Sequence, residues 1–332
     1  MAYTQIPSWN TLIRRSQAIA ALRQFFHQNG YLEIETRAMR ATTATDPYIE
    51  SFKTEWAGAP NPCYLQTSPE YAHKILLSHH RYPIYEIARV FRNEPHGSLH
   101  RREFTLEEWY RPESDYHTMM DETEQLIRTI CQSLNISELH SCAREKNASI
   151  RITSQPFVHL TVDDAFKQFA GFSPTGMSQP ELVEAARKTG SRIGDDWSWN
   201  DIFNCVLVDH IEPHLGMDYP TYLMDYPASM ASLAQTRRTS VGNVAERFEL
   251  YICGIELCNG YSELNDPQEL RQRFEEDNRE RQKLGLETLP IDEDLLTALP
   301  SLGKLGGNAL GFERLLMLCF GCDDISQVMI DL

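Results

Sequence analysis

Two arginine-bearing clusters, far apart in the chain, carry the residue types that hold a triphosphate. One is Val90-Phe91-Arg92-Asn93-Glu94, running on to Arg102-Glu103-Phe104; the other is Gly311-Phe312-Glu313-Arg314. A guanidinium is a permanent cation whose planar fork matches phosphate oxygens, and an aromatic face stacks on a base. Two such cations beside a ring suit a bent nucleoside triphosphate. The pairing points to chemistry in which ATP activates a carboxylate.

Between the clusters lie acids at spacings that matter. In a strand over Phe104–Tyr110, a period of two puts Phe104, Leu106, Glu108 and Tyr110 on one face. An acid and a phenol beside a large ring make a floor for a cationic substrate; the alternative is a solvated strand in which Glu107 and Glu108 stay wet. Ala245–Ile252 and Ile255–Asn259 read as a hairpin turning at Cys253-Gly254. That turn pairs Tyr251 with Glu256 and sets Glu249 diagonally across on the same face. Two carboxylates near a triphosphate suit Mg²⁺, which takes one or two carboxylates plus phosphate oxygens; an exposed acidic face is the plainer reading. A bulge at Asn259-Gly260 would turn Asn259, Tyr261 and Glu263 into the same pocket. The glycine-rich run Gly303–Gly311 lacks the Gly-Lys-Ser/Thr ending of a P-loop. Its glycines are expected to let backbone approach a base, with Arg314 on the first turn of the following helix.

These residues need a scaffold. Helical periodicity with apolar Ile13, Ala20, Leu22, Phe25 and Phe26 predicts a helix over Thr11–Gln28, stopped by Asn29-Gly30. Tyr31–Thr36 alternates as a strand, and Tyr64–Gln66 reads as another. Ser68-Pro69-Glu70 starts a helix with Ser68 as N-cap. Strands follow at Ile84–Arg92 and Glu103–Tyr110, then a helix over Asp115–Leu134. Residues 137–221 mix loops with short helices at Val162–Phe169, Gln179–Thr189 and Trp199–Glu212, as an insertion would. Strands resume at Thr221–Met224, Pro267–Leu284 is a charged helix, and Phe312–Phe320 closes the chain as an apolar one. Antiparallel strands with segregated helices predict an α+β fold in a single domain over 1–332.

Composition narrows the function classes. The chain has 332 residues, 42% hydrophobic and 23% charged, enough for a large buried core. No apolar stretch is long enough to cross a bilayer, and Met1–Asn10 lacks an export signal, which together predict a cytoplasmic protein. Eight cysteines, scattered singly, then read as reduced thiols; Cys319-Phe320-Gly321-Cys322 has no second pair with which to build a zinc site. With 47 acidic against 31 basic residues and a net charge of −16, stable tRNA binding is disfavoured.

The ordered set of motifs resembles the catalytic domain of class II aminoacyl-tRNA synthetases, in its lysine branch, over nearly the whole chain. Phe91–Glu94 with Glu103-Phe104-Thr105 looks like the family's second motif, and Gly311–Arg314 like its third. Thr67–Glu70, Tyr226–Ala228, Ala245–Glu249 and Asn259–Leu264 look like the lysine-specific blocks. The resemblance is closer still to the paralogues that modify bacterial elongation factor P. The chain is expected to start directly at the catalytic domain, with no anticodon-binding domain ahead of it. The third motif also has Ala309 where lysyl-tRNA synthetases carry glycine, and Glu108–Pro112 and Ser232–Gln235 fit those paralogues.

The resemblance implies adenylation of (R)-β-lysine by ATP, with Mg²⁺, and its transfer to a lysine of elongation factor P by a homodimer. Arg92 and Arg314 would be the catalytic cations, Phe104 the adenine platform, and Glu249 and Glu256 the metal ligands. Asn93, Glu94, Arg101, Leu257 and Gly311 would also face the nucleotide. Ser68, Pro69, Glu70, Glu108, Tyr110, Asn259, Tyr261, Glu263 and Ala309 would surround the amino acid. Three departures stand out. Arg101 replaces an asparagine of the second motif, Arg37 stands where the first motif has proline at the dimer interface, and Glu313 replaces an aspartate. A truncated lysyl-tRNA synthetase and a catalytically inactive paralogue are the competing readings.

Overall fold

The computed structural model describes residues 6–55, 58, 61–141 and 147–330. Cys142 and the first five residues, which entered the thiol and export readings, lie outside them. In chain order the helices are α1 Trp9–Gln28, α2 Glu70–His79, α3 Tyr116–Ser133, α4 Val162–Phe169, α5 Gln179–Lys188, α6 Trp199–Val206, α7 Pro267–Lys283, α8 Glu293–Ala298 and α9 Phe312–Phe320. The strands up to the insertion are β1 Leu32–Glu33, β2 Met39–Arg40, β3 Lys53–Thr54, β4 Cys63–Leu65, β5 Ile84–Phe91 and β6 Glu103–Pro112. Then come β7 Glu138–Ser141, β8 Ala148–Arg151, β9 Val158–Thr161, β10 Thr221–Pro227, β11 Thr236–Arg238, β12 Asn243–Ile252, β13 Ile255–Ser262 and β14 Leu305–Gly311.

One sheet organises the molecule, in the order β1-β5-β6-β14-β13-β12-β10-β9, with β11 on β12. Its pairings are antiparallel except β1 with β5 and β10 with β9. The α+β class expected from the sequence is therefore found. Helices α1, α3 and α9 cover one face through a core that includes Leu22, Phe26, Ile127 and Leu316, each fully buried. Burying one such side chain stabilises by roughly 1.5–3 kcal/mol. Helix α1 is capped by Ser8, whose Oγ accepts from the Thr11 amide. Its buried stripe is Ala18, Ala21, Leu22, Phe25 and Phe26; Ile13 and Ala20, expected on that stripe, are exposed.

Several segments differ from the sequence reading. The strand expected over Tyr31–Thr36 shrinks to β1, because only Leu32 and Glu33 pair in register with β5, the Ile34 amide adding one last bond to the Tyr85 carbonyl. Leu305–Gly311, read only as part of a glycine-rich run, is a central strand between β6 and β13; its three glycines hid the alternation that marks a strand. Segment 137–221 supplies α4–α6, whose apolar faces form their own core with Leu223 and Tyr226. It is not helical throughout, since β9 joins the central sheet and β7 pairs with β8. The long helix expected to Glu212 leaves α-geometry after Val206 for a π turn and a 3₁₀ turn. Gly321, in the left-handed region at φ 66°, ends α9.

Register decides which side chains meet. Glu249, Asn259, Ala309, Glu108 and Glu86 form one row across β12, β13, β14, β6 and β5. The next row on that face holds Arg247, Tyr261, Gly307, Tyr110 and Ile84. The Cys253-Gly254 turn and the Tyr251–Glu256 pair are as expected, but the bulge comes earlier than Asn259-Gly260. Pairing jumps from Tyr251–Glu256 to Leu250–Cys258, which makes Leu257 the extra residue. That single insertion puts Glu256 on the same face as Asn259, Tyr261 and Glu263.

Gly260 lies where β13 crosses the core. A Cβ there would stand 2.5 Å from the Phe248 ring and 2.8 Å from Asn308 Oδ1, whereas one at Gly311 would meet nothing nearer than 3.7 Å. Overpacking a core costs about 1–3 kcal/mol. Gly260→Ala should therefore lower the calorimetric unfolding midpoint by several degrees, and Gly311→Ala should leave it in place. Equal midpoints for the two variants would contradict this packing.

Candidate active site

A cleft with an empty volume of about 1290 Å³, its open mouth included, lies over the two rows described above. The cleft has a cationic end and an acidic end.

At the cationic end, β5 delivers Arg92, β6 delivers Phe104, and the first turn of α9 delivers Arg314. The Arg92 guanidinium carbon lies 5.2 Å from the Phe104 ring centre, and its Nε is buried without a hydrogen-bond partner. Burial, with the Arg314 charge adding, lowers the Arg92 pKa against the pull of Glu94. A buried cation with spare donors is prepared for an anion. Arg314 donates to the carbonyls of Glu256 (3.0 Å) and Leu99 (3.4 Å) and lies 2.8 Å from His100 Nε2. Glu313 sets its position: one oxygen accepts from Arg15 on α1 (2.8 Å), the other from the Thr105 amide on β6 (2.9 Å). The glutamate that departs from the family's aspartate therefore ties α9 to two other elements. Gly311 packs against nothing closely, so neither fold nor strain demands glycine there.

Glu256 faces the cleft, 3.6 Å from Arg314 Nη1. Burial, with Glu249 beside it, holds this carboxyl above the usual carboxylate range, although Arg314 and Arg92 act the other way. A pair of acids at this place fits a divalent cation. The two acids are unequal, however. Glu249 stands behind the cleft wall, accepting from Tyr226 (2.6 Å), Tyr251 (2.8 Å), Arg247 (2.6 Å) and Asn259 (3.3 Å). Among the described residues, no three His, Cys, Asp or Glu side chains converge as a metal cage, so an ion here would draw further ligands from phosphate and water.

The acidic end lies between α2 and the sheet. Glu108 accepts from Ser68 Oγ (2.7 Å) and from the Tyr110 hydroxyl (2.9 Å). Fully buried Lys74 lies 2.6 Å from both Glu70 and Glu263. Burial alone would lower the lysine pKa, but Glu263 and Glu70 more than offset it, so Lys74 stays charged. One cation does not balance the acids around it. Burial, with Glu70 and Glu108 adding and Lys74 opposing, holds Glu263 above the usual carboxylate range. Below Glu108 lie His73 and Glu86, both buried. Gly307 makes the closure possible, since a Cβ there would stand 2.2 Å from Glu263 Oε1 and 2.4 Å from Tyr110 Cε1.

Of the expected residues, Arg92, Glu94, Phe104, Glu256, Leu257, Gly311 and Arg314 line the cationic end of one cleft with Ser68, Glu70, Glu108, Tyr110, Asn259, Tyr261, Glu263 and Ala309 at the other. Glu107, on the opposite face, is fully buried like Glu108 and not wet as the plainer reading had it. Three expectations land differently. Asn93 is exposed outside the lining, its amide held by the Glu50 carbonyl. Pro69 is buried at the N-cap of α2, and Ser68 turns its hydroxyl to Glu108 rather than capping that helix, while still accepting from the Glu70 amide. Arg101 borders the cleft but sends its side chain to Asp324 (2.7 Å) and to the carbonyls of Gly97 (2.6 Å) and His100 (2.9 Å). It braces the motif loop against the C-terminal segment. The sequence reading missed Lys74, although its position four residues after Glu70 is that of a helical ion pair. It also missed the Ala44–Ile49 loop at the mouth, whose alanine, aspartate and isoleucine carry no motif.

The family described as tRNA synthetases class II (D, K and N) matches residues 5–330. An elongation factor P–(R)-β-lysine ligase from Photorhabdus laumondii is 39% identical over 96% of this chain and 93% of its own length. Proteins of the same name from Salmonella dublin and Salmonella paratyphi B are 38% identical over the same shares.

The surplus of acid has a thermodynamic signature. A carboxyl held above its ordinary pKa carries a proton near neutrality, and an incoming ammonium lowers that pKa and expels the proton. Titrating a diammonium amino acid into the protein at about pH 7, in buffers of different ionisation enthalpy, should reveal proton release that shrinks by about pH 9, where the free carboxyl is already ionised. Buffer-independent heats at about pH 7 would show that the pocket is not acid-loaded.

Proposed function

This chain belongs to the class II tRNA synthetase family of the aspartate, lysine and asparagine branch, and from that premise we propose that it is the ATP-dependent ligase that joins (R)-β-lysine to a lysine ε-amino group of elongation factor P. ATP use follows from the family. The observation that carries the substrate class is the acidic pocket of Glu70, Glu108 and Glu263 at the end of the cleft away from Arg92 and Arg314, balanced only in part by Lys74. A desolvated ammonium must be paired, so such a pocket selects an amino acid with two of them. The β-isomer and the protein acceptor are supported by the names of relatives 38–39% identical over 96% of the chain.

In the first half-reaction a carboxylate oxygen of the amino acid attacks the α-phosphorus of ATP, a P–O bond forms, and pyrophosphate leaves. Arg92 neutralises the α-phosphate and the attacking carboxylate, Phe104 and Gly311 bracket the adenine, and Arg314 holds the γ-phosphate. Glu94 and Leu257 complete the nucleotide walls. Catalysis is positioning and charge neutralisation, with no covalent enzyme intermediate. Glu256, with Glu249 behind it, would hold Mg²⁺, which when bound neutralises charge on the leaving pyrophosphate. In the second half-reaction the acceptor amine attacks the carbonyl carbon of the adenylate, the amide forms, and AMP leaves. Asn259, Tyr261 and Ala309 shape the pocket around the backbone of the amino acid. A homodimer is part of this reading, supported by the exposed apolar side chains of Ile6, Trp9, Ile13 and Leu32 on α1 and its surroundings.

The test incubates the purified protein with ATP, Mg²⁺ and either lysine isomer, in the presence of elongation factor P or tRNA. Mass spectrometry should show one added lysyl group on the factor, with the β-isomer preferred. Charged tRNA beside unmodified factor would indicate a lysyl-tRNA synthetase instead. In the same assay Gly311→Ala should raise the KM for ATP about tenfold or more through lost adenine stacking, with the KM for the amino acid little changed. An unaltered ATP KM would remove Gly311 from the nucleotide site.

A further inference from the structure

We propose that His73 is a positioning residue for Glu108, a buried cation clamped between that carboxylate and Glu86. The inference rests on the reading of Glu108 as a partner of the substrate ammonium, and adds what keeps it in place.

Glu86 and Glu108 are direct cross-strand partners on β5 and β6, with their side chains on the same face. Adjacent like charges repel, more strongly where water is excluded. Both residues are almost fully buried, at 3% and 2% exposure. Helix α2 crosses above them and lowers His73, itself 0% exposed, between the two. Its Nε2 lies 2.8 Å from Glu86 Oε2, and its Nδ1 lies 3.5 Å from Glu108 Oε1. Nδ1 is buried with no aligned hydrogen-bond acceptor, so its interaction with Glu108 is one of charge. Glu86 is held from its other side by the amide (3.1 Å) and hydroxyl (2.9 Å) of Thr36. These donors and His73 keep its pKa below the ordinary carboxylate value in spite of burial.

The groups facing His73 are Glu86 from β5, Glu108 and the edge-on Tyr110 ring from β6, and Glu70 and Lys74 from its own helix. Burial alone would drive the imidazole neutral; Glu108 and Glu86 more than offset it and raise its pKa. Stability from this clamp is complete below the unfolded imidazole pKa and is lost as pH rises through the raised folded value. The division of labour on α2 is then explicit. Lys74 serves Glu70 and Glu263, and the preceding residue serves Glu108 and Glu86. Once binding has ionised Glu263, four carboxylates face two cations, which leaves the pocket two negative charges for the two ammonium groups of a lysine isomer.

Imidazole ¹⁵N resonances of the wild type should report His73 as doubly protonated at about pH 7, with a pKa that falls by at least about one unit in Glu108→Gln and in Glu86→Gln. A neutral ring at that pH, or a pKa indifferent to Glu108→Gln, overturns the proposal. In ATP–pyrophosphate exchange, His73→Gln should raise the KM for the amino acid about tenfold, with kcat and the KM for ATP within about twofold. The double variant His73→Leu with Glu86→Gln removes a cation and an anion together and should unfold near the wild-type temperature while keeping the KM defect. Restoration of KM along with stability would show that His73 serves only to neutralise Glu86, and would overturn the proposal. If the wild type supports no exchange with any amino acid, the ligase reading falls, and the imidazole titration alone decides the clamp.

Discussion

Buried Glu86, Glu108 and Glu263 and half-buried Glu70 share one floor with, among the described residues, Lys74 and His73 to balance them, and the rest of the site answers to that constraint. Removing one partner from a buried ion pair costs about 3–5 kcal/mol, because the other is left uncompensated. Trimming the cluster one residue at a time is therefore costly. It persists through dense local support, in which Ser68 and Tyr110 donate to Glu108 and Thr36 donates to Glu86. What it lacks is cationic charge, and a diammonium substrate supplies it. Recognition follows from an electrostatic debt written into the free protein, which raises the cost of binding anything uncharged.

The sheet makes this arrangement possible. Five consecutive strands bring Glu249, Asn259, Ala309, Glu108 and Glu86 into one row from segments scattered over much of the chain. Leu257 as a bulged residue shifts the parity of β13, so that Glu256 at its start and Glu263 just past its end both face the cleft. Gly307 clears the space in which Tyr110 and Glu263 close over the acidic end. At the opposite end, Glu313 fixes the start of α9 against α1 and β6, which aims Arg314 across the cleft towards Arg92. Acid and arginine ends are thus held at fixed separation by strands, not by loops.

Much of this was legible in the sequence, for identifiable reasons. The alternation of Phe104, Leu106, Glu108 and Tyr110 survives because β6 is regular, and the hairpin at Cys253-Gly254 is announced by its turn residues. The strand Leu305–Gly311 was not legible, since glycine carries no hydrophobic signal and the strand owes its existence to pairing on both sides. The position of the bulge depended on contacts of β12 with β13, which no local pattern encodes. Arg101 was assigned to the nucleotide by analogy with an asparagine, but a longer cation finds Asp324 from the far end of the chain. His73 carries no motif at all. Its meaning appears only once α2 is laid over the Glu86–Glu108 pair.

The central claim is that unbalanced buried charge selects the substrate, and its most direct test compares ligands that differ in one ammonium. ATP–pyrophosphate exchange should be measured with (R)-β-lysine, with α-lysine, and with norleucine, which matches the length of α-lysine but ends in a methyl group. A site whose buried polar groups are left unpaired rejects such an analogue by roughly 10⁴-fold, and that is the expected loss of kcat/KM for norleucine relative to the better lysine isomer. Exchange with norleucine within about tenfold of that isomer would contradict the account, because the acids of the pocket would then play no part in recognition.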